Sequence, residues 1–142
     1  MYDFIDRDIA RLDRGAQLLL WAMRAWVLAG EAGTCPGPAI APAFVRFGVL
    51  GALPHFHGVM GGLSRDAMRA MAFAPHCCRR VREDEALLLA LFRAAGSEPV
   101  DRVEATAAML VTEPGVAPLL AALTATVRKL AEAGLTPGLA EA

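Results

Sequence analysis

The sequence lacks the uninterrupted apolar run that a membrane-spanning helix needs. Such a helix takes about 20 apolar residues in a row, but Gln17 and Arg24 interrupt the apolar stretch 16–30, and four prolines break the stretch 35–63. Several aspartates precede the first apolar stretch, whereas a secretory signal begins with positive charge. We therefore expect no membrane insertion and a cytoplasmic location.

Cysteine is scarce, and neither sign of charge is in excess. The three cysteines are an odd number, which disfavours a disulfide framework in a chain without an export signal, so reduced thiols are expected. The 14 basic and 15 acidic residues give a formal net charge of −1. This balance provides no general attraction to nucleic acid, and no nucleic-acid partner is predicted.

Recognisable catalytic motifs are also missing. The chain has no Gly-rich phosphate loop, no nucleophile elbow and no His-Glu-x-x-His segment. Its only serines are Ser64 and Ser97, and Ser97 is expected to cap a helix. The sequence thus disfavours an enzyme and predicts no catalytic residue. In an enzyme alternative, the acid or base would be His55, His57 or His76.

Alanine dominates what is present, with 29 of the 142 residues, and alanine favours helices. Alternating runs typical of strands are scarce. Apolar residues at helical spacing occur in six stretches separated by glycine and proline, near 13–30, 40–47, 54–71, 81–95, 99–111 and 116–130. These features predict an all-α fold: a compact bundle of five to six helices in one domain over 1–142, with 1–12 as an arm or a separate turn. The first helix, apolar around almost its whole circumference, is expected at the centre.

The most unusual local feature is His76-Cys77-Cys78, just ahead of the fourth predicted helix. A helix start and nearby arginines favour thiolate, which attacks electrophiles and binds soft metals, whereas the acidic residues 83–85 oppose this effect. A transition-metal site would draw on every cysteine and histidine of the chain: Cys35, His55, His57, His76, Cys77 and Cys78. Their spacing differs from the usual zinc motifs. Alternatively, the thiols fill core gaps and the imidazoles make local hydrogen bonds.

Two further groups of side chains have both a binding and a structural interpretation. One is a local basic cluster, which would bind a phosphate or an acidic partner surface or form a solvated face: Arg65, Arg69, Arg79, Arg80 and Arg82. The other has helical spacing and would line a ligand pocket between helices or belong to the ordinary core: Trp21, Trp26, Met60, Met68 and Met71.

Two short motifs resemble an uncharacterised family of small helical bacterial proteins. Its members carry an apolar helix containing Ala-Met-Arg and a later Ala-Pro-Cys-Cys-Cys-Pro segment that leads into a helix. The matching segments here are 22–24 and 74–78, with His76 in place of the third cysteine and Arg79 in place of proline. Histidine and cysteine both bind transition metals, so the first change is compatible with the exchange of one ligand type for another. The resemblance covers about residues 15–96 and implies a helical fold without implying an activity.

Abundant apolar residues without a complete catalytic set favour a non-catalytic helical interaction or regulatory domain. We expect such a domain to self-associate or to bind a protein partner. The alternative function is a thiol-based metal-binding or redox-sensing protein centred on His76-Cys77-Cys78.

Overall fold

A computed structural model describes residues 3–140. Residues 1–2 and 141–142, which the single-domain prediction includes, lie outside this range. Within it, the chain forms six α-helices and no strand, which confirms the predicted all-α bundle: α1 Arg14–Glu31, α2 Pro36–Arg46, α3 Leu53–Asp66, α4 Glu83–Ser97, α5 Val100–Leu110 and α6 Glu113–Glu132. None of these helices combines the length and apolar character needed to cross a membrane.

The apolar helix α1 is capped at its start by Asp13, whose side chain accepts a hydrogen bond from the Ala16 backbone N–H. Ten of its 18 residues are buried, and it packs against α2 and α4. Its apolar surface is not covered on all sides, because Trp21 and Leu28 are 38% and 55% exposed. α6 packs against α3, α4 and α5, so the centre of the bundle is shared between α1 and α6.

Two helix ends differ from the sequence-based prediction. α2 begins at Pro36, ahead of the predicted helical stretch 40–47 and among the prolines and glycine expected to separate it from α1. The missing N–H of proline costs nothing in a first helical turn. α3 ends at Asp66, although its apolar pattern continues to Met71. There the chain leaves the helix, and the Met68 N–H donates to the Leu110 carbonyl. Residues 67–82 are therefore not helical, and we call them the connector.

The prediction for Ser97 is wrong. Its hydroxyl donates to the Arg93 carbonyl within α4, and the residue that caps α5 is Pro99, which makes no side-chain cap bond. A serine near a helix end can bond back to the preceding turn as readily as forward to the next helix.

The N-terminal residues 3–12 lie against the end of the connector. Their side chains Phe4 and Leu12 are buried in the core, and a short 3₁₀ turn spans Ile9–Arg11. The Asp6 N–H donates to the Val81 carbonyl, the Val81 N–H donates to the Arg7 carbonyl, and the Ile9 N–H donates to the Arg79 carbonyl. The segment is thus a docked arm that contains one helical turn.

Candidate functional site

Glu85 fixes both halves of the connector to α4. Its side chain is fully buried, and its two oxygens accept four hydrogen bonds. Two come from Arg24, at 2.8 and 2.9 Å. The others come from the backbone N–H groups of Ala74, at 3.0 Å, and Arg82, at 2.9 Å. The carboxylate therefore has partners for all of its lone-pair sites.

Arg24 extends this network from α1. Its side chain is 2% exposed, and besides Glu85 it donates to the carbonyls of Cys78, at 2.8 Å, and Arg80, at 3.0 Å. The hydrogen bonds to the Glu85 carboxylate raise the pKa of the Arg24 guanidinium. This buried pair thus links α1 and α4 to the part of the connector that contains Cys78 and Arg80.

Asp84 holds the earlier part of the connector. Its two oxygens accept hydrogen bonds from Arg69 at 2.6 and 3.2 Å, and the Ala72 N–H donates to it at 2.7 Å. The hydrogen bond from Arg69 is the main reason why the pKa of the Asp84 carboxyl lies below its ordinary value. Asp84 and Glu85, adjacent at the start of α4, therefore both accept hydrogen bonds from the connector, each from different residues of it.

The lowered pKa of Asp84 gives a testable pH dependence. A carboxyl whose pKa is lower in the folded state adds stability above the unfolded pKa of about 3.9, and that stability is lost as the pH falls through the folded value. We expect Asp84→Asn to be less stable than the wild type at pH 7, with the difference shrinking below about pH 4. Urea unfolding of both proteins from pH 7 to pH 2.5 would measure this. If the stability difference between the two proteins stays constant with pH, the lowered pKa of Asp84 in the folded protein is contradicted.

The two neighbouring thiols lie on an accessible turn. The Cys78 N–H donates to the Pro75 carbonyl at 3.0 Å, which closes the turn. Cys77 is exposed and Cys78 is half-buried, and the Cys78 thiol donates to the Arg80 carbonyl at 3.3 Å. The His76 ring stacks on Trp21 with 5.7 Å between ring centroids. The turn precedes α4 by several residues, so the thiols do not lie at the helix entrance that the sequence indicates.

The other predicted metal ligands lie elsewhere. Cys35 is exposed at the start of α2, and His55 is half-buried in the first turn of α3. His57 accepts a hydrogen bond at Nδ1 from the Trp26 indole N–H at 3.1 Å. Within residues 3–140, no three histidine, cysteine, aspartate or glutamate side chains are grouped so that they could hold a metal ion. The six predicted ligands thus do not meet at one place in this arrangement.

The predicted basic cluster contains acidic side chains as well. All five of its members are exposed: Arg65, Arg69, Arg79, Arg80 and Arg82. Arg69 and Arg82 line one pocket together, but Glu83 and Asp84 line the same pocket, and Asp84 pairs with Arg69. Arg80 donates to the Asp6 carbonyl. Asp84 therefore offsets the positive charge of Arg69, whereas the backbone carbonyl that Arg80 binds carries no net charge.

A groove lined by both apolar and polar side chains lies between α1, α3 and the connector. Its volume is about 710 Å³, and the apolar side chains that define it, here called the Met groove, are Trp26, Met60, Leu63, Met68, Met71 and Phe73. The pocket interpretation of the sequence applies to Trp26, Met68 and Met71, whereas Met60 borders the groove but is 2% exposed and belongs to the core. Trp21 lies instead under His76. Sequence reasoning missed Leu63 and Phe73 as lining residues. Only the path of the connector brings Phe73 beside α3, and no local pattern reveals that path.

No protein-family model matches the chain, and no curated protein or solved structure shows significant similarity to it. Membership of the family that the motifs at 22–24 and 74–78 resemble remains a prediction.

Proposed function

We propose that this chain is a helical interaction domain that binds the apolar face of a partner protein's helix in the Met groove. The observation that supports this proposal is the convergence of Met68, Met71, Trp26 and Phe73 on one open groove, which the buried Met60 of α3 also borders. Methionine side chains are flexible and polarizable, and they are used at surfaces that adapt to the shape of a bound partner.

The extent of the apolar surface favours a helix over a small molecule as the occupant. Met68 and Met71 also line a smaller adjoining pocket, together with Met109 and Leu110 near the end of α5. Met68 is 59% exposed and Met109 is 78% exposed. The apolar surface is thus elongated and open, as helix-binding grooves are, whereas small-molecule sites bury most of their ligand.

The groove is also lined by polar groups, which could contact the polar side chains that flank the apolar face of an amphipathic helix. Glu31, Ser64 and Arg69 are among its lining residues. Glu31 and Arg69 have opposite charges, and Arg69 is already paired with Asp84, so no strong charge preference is expected. We infer that the partner helix is recognised mainly through apolar side chains at helical spacing.

A synthetic amphipathic peptide with leucines at helical spacing provides a direct test. We expect the wild type to bind it and Met68→Glu to bind it at least about tenfold more weakly, because the variant places a charge in an apolar interface. Val45→Glu is the matched control, since Val45 is also 59% exposed but lies on α2 outside the groove. Fluorescence anisotropy of the labelled peptide would measure the affinities.

Three outcomes would overturn the proposal. If both variants bind as the wild type does, or both lose affinity equally, the Met groove is not the binding surface. If light scattering shows a dimer that Met68→Glu dissociates and Val45→Glu does not, the groove binds a second copy of this chain instead of a separate partner.

A further inference from the structure

The adjacent cysteines at the Pro75–Cys78 turn differ in their surroundings. Cys77 is exposed, whereas Cys78 is half-buried and its thiol donates to the Arg80 carbonyl. The turn itself is held in place, because the Arg24 guanidinium donates to the carbonyls of Cys78 and Arg80. An accessible thiol thus has a second thiol next to it on a restrained segment. The only other cysteine, Cys35, is exposed and has no cysteine beside it in the sequence.

A disulfide between neighbouring residues would be strained. Consecutive Cα atoms across a trans peptide are about 3.8 Å apart, whereas ordinary disulfides join Cα atoms about 4.4–6.8 Å apart. Closing the ring would therefore distort the 77–78 peptide, whose N–H donates to the Pro75 carbonyl. Strained disulfides are easily reduced, and labile disulfides are the ones typical of regulation.

We propose that Cys77 and Cys78 form a thiol–disulfide exchange site for small-molecule disulfides, with Cys77 as the attacking thiol and Cys78 as the resolving thiol. The Cys77 thiolate attacks one sulfur of the disulfide, which gives a mixed disulfide and releases one small thiolate. Cys78, having lost its proton to solvent, then attacks the Cys77 sulfur and releases the second small thiolate. The two cysteines are oxidised to a vicinal disulfide, and the small disulfide is reduced to two thiols.

Oxidation at this site also has a structural consequence. Distortion of the 77–78 peptide moves the adjoining Cys78 carbonyl, which is one of the acceptors of the buried Arg24 side chain. A buried guanidinium that loses an acceptor destabilises the fold. We therefore infer that oxidation loosens the connector, independently of any ligand in the Met groove.

The experiment uses the full-length chain with Cys35→Ser, incubated with excess oxidised glutathione and analysed by intact mass. We expect the chain to lose the mass of two hydrogen atoms and to regain it with dithiothreitol. Adding Cys78→Ser should stop the reaction at a mixed disulfide, seen as the mass of one glutathionyl group. Adding Cys77→Ser should make the reaction at least about tenfold slower, because the remaining thiol is half-buried.

The proposal is overturned if the Cys77–Cys78 pair stops at the mixed disulfide, or if Cys77→Ser reacts as fast as the parent protein. A Tm that is several degrees lower in the oxidised than in the reduced protein would support the inferred link to Arg24. Equal Tm values would overturn that link. Peptide binding to the Met groove plays no part in these readouts, so failure here is distinguishable from failure of the proposed function.

Discussion

Replacing Arg24 with methionine is expected to lower the free energy of unfolding by about 3–5 kcal/mol, because it leaves the Glu85 carboxylate buried without its cation. The Glu85 side chain is fully buried, and among residues 3–140 Arg24 is its only charged hydrogen-bond partner. Folded proteins are stable by about 5–15 kcal/mol, so the loss is a large share of the total. Urea unfolding at pH 7 would measure it.

An exposed ion pair provides the matched control. The Nη1 atom of Arg102 lies 3.8 Å from Oε1 of Glu98, and the two side chains are 77% and 45% exposed. Arg102→Met should change the free energy of unfolding by no more than about 0.5 kcal/mol, since water already solvates both charges. If Arg24→Met lowers the free energy of unfolding by no more than Arg102→Met does, the buried pair does not stabilise the bundle as described.

A double variant separates the charge from the hydrogen bonds. Arg24→Met with Glu85→Leu leaves no unpaired charge and is expected to recover part of the stability lost by Arg24→Met alone. Recovery should be incomplete, because the N–H groups of Ala74 and Arg82 also lose their acceptor. Their amide hydrogens should exchange faster with solvent in the double variant than in the wild type.

The helices were largely predictable because their signals are local. Asp13 before α1, Pro54 at the start of α3 and Pro99 before α5 all mark helix starts within a few residues of sequence. Where the prediction failed, longer-range contacts decide the structure. The apolar pattern of α3 continues to Met71, but backbone hydrogen bonds to the α5–α6 junction draw the chain out of the helix after Asp66.

The candidate sites were less predictable, since their members are distant in sequence. Arg24 interrupts an apolar stretch and Glu85 belongs to an acidic helix start, so neither residue on its own indicates a partner 61 positions away. The spacing of Met60, Met68 and Met71 fits both a core face and a pocket. The path of the connector places Met68 and Met71 in the Met groove, whereas Met60, which borders the groove, is 2% exposed and belongs to the core.

Gly15 packs so closely against another segment of the chain that no side chain larger than its hydrogen atom fits there. It is buried in the first turn of α1, where alanine would normally be preferred. A Cβ at this position would overlap the carbonyl carbon and oxygen of Leu135 and would lie 3.2 Å from the Thr136 carbonyl carbon. All three of these are backbone atoms. The segment that carries them is tied down, because the Asp13 N–H donates to the Gly138 carbonyl and the Ala140 N–H donates to the Arg11 carbonyl.

Gly15→Ala is therefore expected to lower the free energy of unfolding by about 1–3 kcal/mol, as overpacking does when the neighbouring backbone cannot move freely. Gly62→Ala is the matched control, because Gly62 lies inside α3 and its added Cβ would meet nothing within 4 Å. The free energy of unfolding of Gly62→Ala should be about 0.4–1 kcal/mol higher than that of the wild type, since alanine loses less backbone entropy on folding than glycine does. The same chemical change should thus have opposite signs at two helical glycines. A Gly15→Ala protein as stable as Gly62→Ala in urea would mean that the Leu135 backbone does not pack against α1.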